Sequence, residues 1–117
     1  MYLDNPTKVS AELLSDPYLA DWKYKKLVEQ IRAFESGLDQ DHEIAIRLAA
    51  FGTSVLMAVD EVSYQNPDML YFYGKVKGEE AQLIQHISQL NFLLLAVQKP
   101  DPKSPPRRIG FALPIED

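Results

Sequence analysis

The hydrophobic period of this chain changes near residue 40, and that change dictates its fold class. Before it, Tyr24, Leu27, Val28, Ile31, Phe34 and Leu38 recur at three- and four-residue spacing, which puts them on one helical face. Lys23, Lys25, Lys26, Glu29, Arg32 and Glu35 point away from that face. Asp16 is placed to act as N-cap, and Pro17 suits the first helical position, where its missing N–H costs nothing. Gly37 supplies the C-terminal cap, so the sequence predicts an amphipathic helix over about residues 17–36.

After Asp39-Gln40-Asp41 the period is two. Ile44, Ile46 and Leu48 alternate with Glu43, Ala45 and Arg47, the pattern of a half-buried strand. Phe51-Gly52 interrupts it, and a second strand is expected from Thr53 to about Val62, with Val55, Met57 and Val59 on one side. Asn66-Pro67-Asp68 is a turn, and Met69 to Val76 reads as a third strand. Lys77-Gly78 bends a hairpin whose return strand runs through Ala81 to His86. Beyond it, Leu83, Ile87, Leu90, Leu94 and Val97 keep a helical stripe, so a second helix is expected from a Ser88 N-cap to about Gln98. Lys99 to Pro106 is a proline-rich linker, and Arg107 to Leu113 alternates as a last strand that returns to the sheet.

The expected fold is therefore α+β: an antiparallel sheet of about five strands, the N-terminal helix and a second helix over one face. A chain of 117 residues is a single domain over 1–117, with residues 1–15 an arm and 99–106 the linker. Apolar strands in so short a chain leave edges and faces to cover, so a homo-oligomer is expected.

Composition narrows the function. With no cysteine, thiolate catalysis and zinc–thiolate sites are excluded, and two histidines are too few for an imidazole cage. No metal and no cofactor is expected. A net charge of −5 opposes binding of a nucleic-acid polymer. The longest apolar run, Phe92 to Val97, is far short of a membrane span, and the start MYLDNPTKVS is unlike a signal peptide, so a cytoplasmic protein is expected. No serine sits in a nucleophile elbow, no glycine run cradles phosphate, and Glu79-Glu80 reads best as a solvated turn. No catalytic residue is assigned, and an enzyme is not expected.

Binding residues stand out more clearly. Tyr71 and Tyr73 share one strand face and Phe72 the other, so the tyrosines either stack a base or pack at a subunit interface. Arg47, Arg107 and Arg108 lie on strands, where guanidinium forks match phosphate oxygens or else pair with nearby acids. His86 interrupts an apolar segment as part of either a satisfied polar network or a pocket lining. Trp22, near the edge of the helix's apolar face, is open to core and pocket readings alike.

The run DWKYKKLVEQIRAFESGLDQDHEIAIRLAAFG, then YFYGKV, QLIQHISQLNFLLLAV and RRIGF, resembles a bacterial and phage family long known only as a domain of unknown function. It is also similar to the Thoeris anti-defence proteins, which are sponges for immune signals. That resemblance implies capture without cleavage of a cyclic nucleotide signal, of the glycocyclic ADP-ribose type and also cyclic oligonucleotides, which blocks bacterial antiviral defence in the host cytoplasm. It implies ligand contacts at Tyr71 and Tyr73 of YFYG, Asn91 of SQLN, Arg107 and Arg108 of RRIGF, and Arg47 of IRLAAFG. The competing expectation is a protein–protein interaction module, an inhibitor of a host factor.

Overall fold

Helix α1 spans Ala20–Ser36 and is capped from a distance. Leu19 holds the N-cap position without a side-chain bond. The first free amides are met instead by the turn at Asn66-Pro67: Ala20 N–H donates to the Pro67 carbonyl (2.7 Å) and Asp21 N–H to Asn66 Oδ1 (3.0 Å). Asp16, expected as the cap, accepts from Tyr18 N–H at 2.8 Å and so shapes the turn before the helix. Gly37 does end the helix, with right-handed backbone angles, as its N–H reaches Phe34 O at 3.2 Å. The computed structural model describes residues 16, 18–48 and 54–111. The expected arm, Pro17, the interruption at Phe51-Gly52, the start of the second strand at Thr53 and the end of the last strand at Ala112-Leu113 lie outside the described residues.

Among the described residues six strands follow: β1 (His42–Leu48), β2 (Val55–Gln65), β3 (Met69–Val76), β4 (Glu79–His86), β5 (Leu93–Gln98) and β6 (Gly110–Phe111). The first five pair antiparallel in the order β4-β3-β2-β1-β5. β6 pairs parallel with β2 at Glu61 and Val62, just past the point where β1 leaves it. The Lys77-Gly78 bend forms as expected, with φ of +53° and +81°, the two left-handed residues that a tight right-twisted hairpin requires.

The core lies between α1 and one sheet face. Ile31 of the helix meets Ile44, Ile46, Met57, Val59, Val62, Leu70 and Phe72, each 1% exposed or less. Burying each large aliphatic or aromatic side chain contributes about 1.5–3 kcal/mol. A β-bulge between Val59 and Glu61 keeps that face continuous. Before the bulge the odd-numbered Val55, Met57 and Val59 face the core; after it the even-numbered Val62 and Tyr64 do. One extra residue exchanges the two faces of the strand.

Three expectations are corrected. Residues 87–89 form a single 3₁₀ turn, and Leu93–Gln98 is a strand on β1, so there is no helix over 88–98. His86, not Ser88, is the cap: its Nδ1 accepts from Ser88 N–H (3.1 Å) while Gln89 Oε1 accepts from His86 N–H (2.8 Å). Apolar side chains at every position from Leu93 to Val97 serve a strand as well as a helix, and pairing with β1 supplies the ladder bonds that decide between them. The last strand is also shorter than expected, with only Gly110–Phe111 laddered among the described residues, because Arg107 and Arg108 are held by side-chain bonds at the fork described below.

Candidate functional site

Among the described residues, the sheet face away from α1 is the open one. It presents Glu43, Ala45 and Arg47 from β1, Leu56 and Ala58 from β2, Tyr71, Tyr73 and Lys75 from β3, Ile84 from β4, and Leu93, Leu95 and Val97 from β5. Leu56, Ile84 and Leu93 are 44%, 53% and 57% exposed, high values for large apolar side chains. The small cross-strand pair Ala45–Ala58 makes a trough in this face. Around it lies a cleft of about 310 Å³, with Leu56 and Val97 as apolar walls and Lys75, Lys77, Gln98 and Arg107 as polar rim.

Arg107 enters this cleft through a fork in the sheet. β1 and β2 pair only as far as Ala45 and Ala58, and the backbone of 107–111 wedges into the opening. Its guanidinium replaces the missing ladder: Nη2 donates to the Ile44 carbonyl (3.1 Å) and lies 3.5 Å from Glu43 Oε1, while Nε sits 3.0 Å from Asp60 Oδ1. The Arg107 N–H donates to Glu43 Oε2 at 2.8 Å. The Nε contact is electrostatic, since its geometry makes no hydrogen bond. Glu43, 5% exposed, is thus a buried carboxylate held by one residue through both backbone and side chain. Such pairing offsets the heavy cost of burying charge.

Arg108 is occupied as well. Its Nη1 donates to the carbonyls of His42 (2.7 Å) and Arg107 (3.3 Å), and Nη2 to that of Asp39 (3.1 Å). These bonds stitch the segment to the α1–β1 connection. Further on, Ile109 N–H donates to Glu35 Oε2 at 2.8 Å, and the Arg32 guanidinium lies 5.1 Å from the Phe111 ring centre.

The other residues singled out in the sequence are dispersed. Tyr71 and Tyr73 do share the open face, with rings 6.5 Å apart and near parallel, and Tyr71 Oη donates to Gln65 Oε1. Arg47 is exposed on the same face, but its partner on β2 is Leu56 whereas that of Tyr73 is Glu61. Five positions of strand separate them, roughly 16 Å along the sheet. His86 sits at the far end of β4, bonded to Ser88 and 3.2 Å from Asp68 Oδ2. Asn91 is exposed in the connection to β5. Only Arg107 of the seven lines the cleft.

Sequence reasoning missed Lys75 and Lys77. Lys75 shares the parity of Tyr71 and Tyr73, which was legible; Lys77 occupies a turn position that favours asparagine or glycine, a second legible signal. Lys75 donates to Glu80 Oε2 at 2.7 Å, and that bond raises its pKa above the usual lysine value. Lys77 makes no ion pair among the described residues and is the cleft's unneutralised cation. Among the described residues no cluster of histidine and carboxylate side chains could hold a metal.

These features define a helix-on-sheet α+β domain with an apolar cleft on the sheet face that, among the described residues, no helix covers. The chain belongs to a family of unknown function, DUF6173, whose model matches residues 19–112. No curated protein and no solved structure matches it. No described helix is long and apolar enough to cross a membrane.

Proposed function

We propose that this protein is a non-catalytic binder that captures a small anionic, nucleotide-like ligand in the cleft on its open face. The observation behind this reading is one cavity combining an apolar floor with Lys75, Lys77 and Arg107 on its rim. Its volume, about 310 Å³, lies at the lower end of the range of small-molecule sites, roughly 300–1,000 Å³. A base or ribose covers the alanine trough while phosphate oxygens take the Lys77 ammonium. A cyclic ADP-ribose-type signal, the ligand class implied by the sequence resemblance, has this chemistry, and its sequestration would block antiviral signalling.

The test is a calorimetric titration against cyclic ADP-ribose isomers and cyclic oligonucleotides, followed by mass spectrometry of the ligand released on heating. The expected result is stoichiometric binding and an intact ligand. Lys77→Ala should weaken binding tenfold or more, since one charge-assisted bond contributes about 1.5–3 kcal/mol. Recovery of a cleaved product would make the protein an enzyme. Heatless titrations across the panel would overturn the cleft reading in favour of a protein-interaction module, whose supporting observation is the exposed Leu56, Ile84 and Leu93 on the same face.

A further inference from the structure

The two edges of the sheet are defended unequally. β4 opens with exposed Glu79 and Glu80 and ends on His86, and such charges discourage strand addition. β5 reads Leu-Leu-Leu-Ala-Val-Gln, with no charge, no proline and no buried position. One side of β5 is laddered to β1; among the described residues no strand lies on the other. Which backbone groups face that open side follows from one bond. Lys99 N–H donates to the Asp41 carbonyl at 2.8 Å, so Lys99 turns its backbone groups inward. Alternation along the strand then turns those of Leu93, Leu95 and Val97 inward too, and those of Leu94, Ala96 and Gln98 outward.

We propose that β5 pairs antiparallel with β5 of a second copy of this chain, about a twofold axis at Ala96. A twofold axis relating two antiparallel edge strands stands perpendicular to the sheet, so each face stays on its own side. Residues that stand opposite one another must then have the same parity. Centring on Ala96 brings every outward-facing residue of the strand into a hydrogen-bonded pair: Leu94 with the second copy's Gln98, Ala96 with its own counterpart, and Gln98 with the second copy's Leu94. Each such pair exchanges two N–H···O bonds.

Charge supports the same occupant and register. With a net charge of −5 per chain, self-association needs a surface free of acids, and β5 supplies one. In this register Lys99 stands opposite the second copy's Leu93, so no charge meets its own kind. On the open face Leu95 meets the second copy's Val97, which extends the apolar surface beside the cleft. The pairing is isologous, closes at two copies and leaves no third strand to add. It rests on backbone pairing and holds whether or not the cleft takes a ligand.

Sedimentation equilibrium of the full chain should give twice the chain mass, with dissociation on dilution. Ala96→Pro should sediment as a monomer with an unchanged circular dichroism spectrum, because the lost N–H faces outward and bonds nothing within the chain. In this cysteine-free protein, Ala96→Cys should form an interchain disulfide on mild oxidation. Gln98→Cys should not, because its counterpart lies four strand positions away, roughly 13 Å. A monomeric parent, a dimeric Ala96→Pro, or crosslinking at residue 98 in place of 96 would each overturn the proposal.

Discussion

Gly74 sits where β2 bulges toward β3, and replacing it by alanine is the sharpest test of that geometry. A Cβ built on Gly74 would meet the Ala58 carbonyl oxygen well inside van der Waals contact, with the Ala58 carbonyl carbon 2.9 Å away and Val59 Cα 3.0 Å away. All three are backbone atoms of the neighbouring strand, so no rotamer change relieves the clash. The two strands must part where Val59 pairs with Gly74 and Ala58 with Lys75. Overpacking of this kind costs about 1–3 kcal/mol, and a weakened ladder bond adds about 0.5–1.5 kcal/mol. A total near 3 kcal/mol corresponds to a fall in Tm of about 12 °C in a domain of this size. The control is Gly78→Ala: that glycine has φ +81° but open space around its Cβ, so only the left-handed backbone penalty applies, about 1 kcal/mol. Differential scanning calorimetry of both variants decides the matter. If Gly74→Ala melts within about 3 °C of the parent, the close approach at the bulge is not a constraint and the reasoning fails.

Arg107→Ala should destabilise the fold by about 2–4 kcal/mol in urea titration, because it removes the charge paired with the buried Glu43 carboxylate and leaves it the backbone amide of residue 107. Glu35→Ala removes the acceptor of the Ile109 amide, and hydrogen exchange at Ile109 should accelerate while that in β3 stays slow. The Asp39 carboxyl is held below its ordinary value first by the bond from His42 and then by the Asp41 amide. Its contribution is present above the unfolded value of 3.8 and fades as pH falls through the lower folded value, so Asp39→Asn should flatten the acid limb of the stability curve below pH ~4.

Local structure was legible where one physical signal dominated. The stripe from Tyr24 to Leu38 named the face of α1, and alternation at Ile44, Ile46 and Leu48 named β1. Lys77-Gly78 located its hairpin to the residue. Residues 93–97 misled because an apolar side chain at every position satisfies both periods, and the partner strand that decides lies about fifty residues earlier in sequence. The helix cap was missed for a related reason, since its acceptors come from the β2–β3 turn. The arginines were read as phosphate forks, whereas Arg107 and Arg108 reach carbonyls 63 to 69 positions away. Nothing in the local sequence of RRIGF announces that β1 and β2 will part to receive it. The cleft shares this origin: its lining comes from four strands, the Lys77-Gly78 turn and the segment holding Pro100 and Arg107, and what was visible beforehand was the parity within single strands, of Glu43 with Ala45 and of Tyr71 and Tyr73 with Lys75.

The wedge at residues 107–111 also sets an order of assembly. Its ring, hydrogen-bond and ladder partners, from Tyr24 to Val62, all precede it in the chain, and the fork between β1 and β2 is filled by a segment about fifty to sixty-five positions further on. Closing a loop of more than sixty residues for that contact is slow compared with forming the β3–β4 hairpin. The arginine wall of the cleft therefore depends on hydrogen bonds that join residues 63 and 64 positions apart.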